Sequence, residues 1–186
     1  MSTEQIKEVS PHLKARIAGI FYLITFITGV LALVSVRARF AANLIATASY
    51  IAVTLLFYDL FKPVNRSLSL LAAFVSLLGL AIGTLSMFHL SPFHINNLVF
   101  FGFYCLLIGY LIFRSTFLPR ILGALMALSG LGWLTFLSPP LANHLFTYIA
   151  AIGILAEALL MLWLLVKGVN EQRWQERASA AGEWPN

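Results

Sequence analysis

The chain is poor in charge. Of its 186 residues only 10% are Asp, Glu, Lys or Arg, against about 25% in ordinary soluble domains. A water-soluble globule needs that polar cover; here 60% of residues are apolar and the mean hydropathy is +0.89. The shortage excludes a soluble domain and points to an integral membrane protein. Cysteine is almost missing as well. Cys105 stands alone, which rules out an internal disulfide or a Cys-x-x-Cys redox or zinc motif; it lies in an apolar run and reads as a small packing residue. The signatures of soluble catalysis are absent: no Gly-rich phosphate loop after a strand, no Gly-x-Ser-x-Gly, no His-Glu-x-x-His and no pair of carboxylates in one motif. Room outside a bilayer is scarce too. A basic tail over 1–16, short loops and a polar end over 168–186 leave no separate soluble catalytic domain.

What is present is six nearly uncharged stretches, 17–36, 43–61, 68–88, 97–113, 121–138 and 145–166. At 1.5 Å per residue, each crosses a hydrocarbon core of ~30 Å as a helix. Helices satisfy their own backbone in lipid, whereas a barrel would need alternating segments of ~10 residues, and none occurs. Breakers fall between the stretches: Pro63, Pro92, Pro119 and Pro139–Pro140. The first run, preceded by Lys7, Lys14 and Arg16, is longer than a signal-peptide core and reads as an uncleaved first span.

The twelve cations have a one-sided arrangement. Ten fall on one face: Lys7, Lys14 and Arg16 in the N-terminal tail, Lys62 and Arg66 in the second loop, Arg114 and Arg120 in the fourth, and Lys167, Arg173 and Arg177 in the C-terminal tail. Only Arg37 and Arg39 fall on the other. This positive-inside bias predicts that both termini are cytoplasmic. It also accounts for the pI near 9.7 and the net charge of +5, so no nucleic-acid partner is expected. The same cations divide the chain into three hairpins, opening at Arg16, Arg66 and Arg120 and closing at Lys62, Arg114 and Lys167, with Tyr58, Tyr110 and Trp163 four residues before each close. Either three copies descend from one hairpin, or short inner loops, snorkelling cations and interfacial aromatics impose the spacing unaided. Small residues mark close helix approach: Gly79 and Gly83, four apart in the third span, and Gly102, Gly109, Gly123, Gly130 and Gly132 in the fourth and fifth. These serve packing within the chain or, alternatively, a homo-oligomer.

Several segments carry a resemblance. They are Arg16-Ile17-Ala18-Gly19 with Tyr22-Leu23, Lys62-Pro63-Val64-Asn65-Arg66-Ser67-Leu68, Phe113-Arg114-Ser115 with Leu118-Pro119-Arg120-Ile121-Leu122-Gly123, and Trp163-Leu164-Leu165-Val166-Lys167-Gly168-Val169-Asn170. Together they resemble a bacterial membrane family called domain of unknown function 4386, over nearly the whole chain. The resemblance implies a small bacterial multi-spanning protein and supplies no activity, substrate or active site.

Two acids lie within the spans. Asp59, beside Lys62 and Arg66 at the inner end of span two, reads as an interfacial ion pair with one of them, or alternatively as a functional carboxylate. Glu157 sits near the middle of span six with no formal charge nearer in sequence than Lys167. An ionisable group at that depth must face protein or a wet cavity, or stay protonated. Gly153 and Leu160 share its helix face, and the glycine leaves room for a ligand, a water or a neighbouring helix. The expected partners are Ser49, Tyr50, Thr54, Tyr104 or Tyr22. His89, His94 and His144 fall at the outer face, where they read as interface residues or as ligands for a metal or haem drawn from different segments. Residues 170–177 are expected to prolong span six as an interfacial helix with Trp174 at headgroup depth.

The expected fold is therefore an all-α membrane protein: an N-terminal tail over 1–16, six transmembrane helices as three hairpins over 17–167, and a C-terminal tail over 168–186. It is expected in a bacterial plasma membrane with both termini inside and the lipid bilayer as its surroundings. The leading functional expectation is non-enzymatic binding of a hydrophobic small molecule, a lipid or a membrane partner in a helix-lined cavity near Glu157, with Gly153, Tyr104 and Tyr50 beside it and no cofactor. Two alternatives stand beside it: an intramembrane enzyme or proton-coupled carrier using Glu157, and a protein holding metal or haem on His89, His94 and His144.

Overall fold

The computed structural model describes residues 10–90 and 96–182. Among them the secondary structure is helical: α1 (Pro11–Val34), α2 (Arg39–Phe61), α3 (Arg66–Met87), α4 (Asn97–Arg114), α5 (Arg120–Leu134, continued by a 3-10 turn over Thr135–Leu137), α6 (Pro139–Val166) and α7 (Glu171–Ala180). The first six, with α5 counted through its 3-10 turn, are long and apolar enough to cross a membrane. Local chemistry sets their starts. Ser10, Asn65, Asn96 and Asn170 each accept a hydrogen bond from a first-turn N–H of α1, α3, α4 and α7, the arrangement that satisfies a helix's unpaired donors. Two spans begin six residues earlier than hydropathy indicates. α1 starts at Pro11, six residues before the apolar run, because Ser10 caps it and Pro11 suits the first turn. Pro139 and Pro140 likewise open α6 instead of marking a loop.

The six long helices form a ring in chain order. Each lies against its neighbours in sequence, and α1 closes the circle against α6. Pairing is thus not confined to three hairpins, and the closest approach joins α4 to α5, across a boundary between two of the expected hairpins. Glycines explain it. A Cβ on Gly109 would lie 2.7 Å from the Gly123 carbonyl oxygen, one on Gly123 2.6 Å from that of Gly109, and one on Gly130 2.8 Å from that of Gly102. Gly102 and Gly109 thus mate with Gly130 and Gly123, seven residues apart on each antiparallel helix, and backbone meets backbone. The Gly79 and Gly83 pair also faces α4 within the chain, against Phe100 and Asn97.

One end of the ring holds the start of α1, the end of α2 and α7; we call it the terminal end. Here Asp59 pairs with Lys14 and with Lys62, the latter at 2.8 Å. The early start of α1 is what brings Lys14 to Asp59. α7 does not prolong α6. Gly168, at φ +62°, turns the chain and lies against the His12 ring, where a Cβ would meet it at 2.8 Å. Trp174 is buried and donates Nε1–H to the Leu60 carbonyl at 2.8 Å, so it wedges under α2 instead of lying among headgroups. Arg173 and Arg177 donate to the carbonyls of Thr116 and Arg114 at 3.1 Å each, and fasten α7 to the α4–α5 connection. Inside the terminal half the core is closed. Tyr22, Phe57, Phe61 and Phe117 form a continuous aromatic column with centroid steps of 6.1, 5.7 and 5.9 Å, flanked by buried Leu60, Leu111, Ile112 and Leu164.

Candidate functional site

At mid-depth the inward faces of α1, α2 and α6 gather one carboxyl and two phenols. Ala15, Ala18 and Tyr22 share the inward stripe of α1, and small residues at the first two positions let that helix approach closely. On α6 the buried positions Gly153, Ala156 and Leu160 bracket Glu157. Tyr22 donates to Glu157 Oε2 at 3.1 Å, and the Tyr22 and Tyr50 hydroxyls are 3.3 Å apart. Behind them, Thr54 Oγ1 donates to the Tyr50 carbonyl at 2.9 Å and lies 2.7 Å from Ser76 Oγ. Tyr104 stacks edge-on to Tyr50 at 6.0 Å, and its hydroxyl is buried with no hydrogen-bond partner among the described residues.

From this cluster toward the far end of the ring runs a cavity of about 410 Å³, within the ~300–1,000 Å³ usual for small-molecule sites. α1, α2, α3, α4 and α6 all contribute to its wall. Glu157 and Tyr50 form the floor. Thr25, Asn43, Thr47, Ser76, Thr84 and Asn97 are the polar wall residues, and Leu80, Met87, Leu98 and Phe101 are prominent among the apolar ones. Two of the threonines hold their own helix backbone, Thr25 donating to the Phe21 carbonyl at 3.0 Å and Thr84 to that of Leu80 at 2.8 Å. The wall contains no Lys, Arg or His. Glu157 is therefore a lone acid at the bottom of a cavity whose wall is mainly apolar, with scattered uncharged polar groups.

The residues singled out by sequence fall into three groups. Glu157 and Tyr50 meet in the cavity floor. Tyr104 lies behind Tyr50, outside the lining. Gly153 also lies outside it, for the space beside the glycine is taken by Trp133 of α5, whose indole a Cβ would meet at 2.8 Å. At the terminal end Asp59 is held by Lys14 and Lys62, and Arg66 takes no part in that cluster. His89, at the left-handed φ of 58°, and His144 are exposed, whereas His94 lies outside the described residues. No three His, Cys, Asp or Glu side chains converge as metal ligands among the described residues. Reasoning from sequence missed Asn43 and Asn97. The signal was available, since an amide inside an otherwise apolar span must find a polar neighbour or a wet cavity.

Residues 34–97 and 93–168 match a family described as a domain of unknown function, DUF4386. The chain belongs to this family. The DUF4386 region includes Tyr50, Asp59, Tyr104, Gly153 and Glu157; Lys14, Tyr22 and α7 lie beyond it. An uncharacterized protein from Archaeoglobus fulgidus is 28% identical over 127 residues, covering 63% of this chain and 76% of the relative. No solved structure matches the chain.

Proposed function

We propose that this DUF4386 protein is a multi-pass protein of a bacterial plasma membrane, with both termini in the cytoplasm, that binds a small amphiphilic molecule at Glu157 without transforming it. The observation that carries the reading is the asymmetry of the ring. A cavity of about 410 Å³ reaches Glu157 from the far end, while the aromatic column and its aliphatic flanks close the terminal half. A binding protein needs one such cavity, and a ligand entering it meets mainly apolar walls with a few polar groups and one acid at the floor, which suits an amphiphile. The clustering of cations at the terminal end supports the orientation. Mass spectrometry of the gently purified protein should find a co-purifying small molecule or lipid, and Ala46→Trp, which fills the cavity, should lose it while elution and helicity stay unchanged. A parent that carries nothing, or a Trp variant that carries as much, refutes the reading. Reporter fusions at either terminus should be active only as cytoplasmic reporters.

The hydrogen-bonded line Glu157–Tyr22–Tyr50 favours a second reading, a proton-coupled carrier. That role requires the aromatic column to open in another state. Uptake of a labelled solute into proteoliposomes driven by a pH gradient, and abolished in Glu157→Gln, would select it over simple binding.

A further inference from the structure

The donors and acceptors around the cavity are unequally available. A hydroxyl has one proton to give. Thr25 and Thr84 give theirs to the carbonyls of Phe21 and Leu80. Thr54 gives its proton to the Tyr50 carbonyl, so the 2.7 Å contact with Ser76 is made by the Ser76 proton. Tyr22 gives its proton to Glu157, so the Tyr22–Tyr50 contact is made by the Tyr50 proton. Four of the wall hydroxyls, those of Thr25, Tyr50, Ser76 and Thr84, thus present lone pairs to the cavity, and the carboxylate adds acceptors at the floor. No cationic side chain opposes them. Asn43, Thr47 and Asn97 add donors as well as acceptors to the wall, but around Glu157 the excess is of acceptors, and its complement is a group that is all donor and positively charged.

From this arithmetic we infer that the cavity selects a protonated amine: an ammonium group seated at Glu157, joined to a compact apolar body that lies against Leu80, Leu98 and Phe101. The ammonium supplies N–H bonds to the carboxylate and the hydroxyl lone pairs, and charge-assisted bonds of this kind are roughly twice as strong as neutral ones. The Tyr50 and Phe101 rings, 5.8 Å apart, add the electron-rich surface that favours a cation near an aromatic. Divalent metals are a poorer match, since Glu157 is the only acid in the wall and these ions take several charged or carbonyl oxygens. The inference rests on the cavity being a binding site, and the experiment separates the two claims.

Phenethylammonium, phenethyl alcohol and phenylacetate share one body and differ in the head group. Their binding to the full chain in mild detergent can be followed by equilibrium dialysis. Phenethylammonium should bind at least about tenfold more tightly than the alcohol, since a charge-assisted bond replaces a neutral one, and phenylacetate should be weakest. Glu157→Gln should bring the ammonium down to the affinity of the alcohol and leave the alcohol nearly unchanged. Should that variant fail to fold, Thr25→Val serves instead: Thr25 lines the cavity one turn along α1 from Tyr22, the partner of Glu157, so the change removes an accepting lone pair near the floor at constant shape and should weaken the ammonium alone by a few-fold. Equal affinity for ammonium and alcohol, or an ammonium affinity indifferent to both variants, overturns the amine assignment and leaves the cavity reading intact. Binding of none of the three probes overturns both.

Discussion

Replacing Gly123 by alanine tests the tightest contact in the ring. The new methyl would lie 2.6 Å from the Gly109 carbonyl oxygen and 2.8 Å from the Phe113 nitrogen. Both neighbours are backbone, so no side chain can swing aside. Ordinary contact begins near 3.4 Å, and α4 and α5 must separate by about 0.8 Å to reach it, which places this among overpacking changes costing about 1–3 kcal/mol. Alanine also gains up to ~1 kcal/mol over glycine in helix propensity, a benefit that has to be subtracted. Gly29→Ala on α1 isolates it, for nothing lies within 4 Å of a Cβ there. We therefore expect the stability difference between the two variants, read by reversible unfolding in mixed micelles with far-ultraviolet circular dichroism, to be about 1–3 kcal/mol in favour of Gly29→Ala. The double variant Gly109→Ala with Gly123→Ala should cost less than the sum of its parts, because one separation relieves both clashes. A Gly123→Ala protein as stable as Gly29→Ala would refute the claim that backbone contact holds these helices together.

At the floor of the cavity, Glu157→Leu removes the acceptor of the Tyr22 hydroxyl and leaves it the longer 3.3 Å contact with Tyr50, so it should cost about 1 kcal/mol, whereas Glu157→Gln should retain most of the stability; denaturation of the two variants side by side checks the order. Trp174→Phe keeps the aromatic wedge but deletes its bond to the Leu60 carbonyl, so a loss of about 1 kcal/mol and faster proteolysis after Lys167 are expected. Asp59→Asn removes the counter-charge that Lys14 and Lys62 share at a partly exposed site, so its cost should stay within about 1 kcal/mol and shrink as salt is raised; a cost independent of ionic strength would contradict the ion-pair account.

The spans were legible because hydropathy in this chain changes sharply at charged loop residues, and Glu157 was legible because a single acid in an apolar helix has few explanations. Helix starts were less so. Ser10-Pro11 is an ordinary start signal, but it precedes the apolar run by six residues, and a reading anchored on hydropathy passes over it and over Lys14 with it. Trp174 illustrates a different limit. Its local surroundings are polar and suit an interface, and only the turn at Gly168 swings its indole beneath α2. The mating of Gly102 and Gly109 with Gly130 and Gly123 is written in two seven-residue spacings, yet hairpin reasoning pairs α3 with α4 and α5 with α6 and so divides the closest neighbours. Gly153 is the clearest case: from sequence its missing side chain looks like room for a ligand, and in space Trp133 from another helix fills it. Which partner fills a gap is a tertiary property, and no one-dimensional spacing carries it.

The circular order of the helices bears on how the protein is made. Because each helix leans on the one synthesised just before it, most of the ring can assemble from local contacts as successive segments enter the bilayer, with little loop-closure entropy to overcome at any step. The seam is the exception. α1 must wait, one flank bare, until α6 has been translated, and the two ends of the arc meet only then. Residues 171–180 emerge later still, and they are the ones that tie the closed ring together through Trp174, Arg173 and Arg177. A released chain ending between Val166 and Glu171 would thus form the circle without its clasp, and the interval before α6 arrives is when α1 is most open to an insertase or to a second chain.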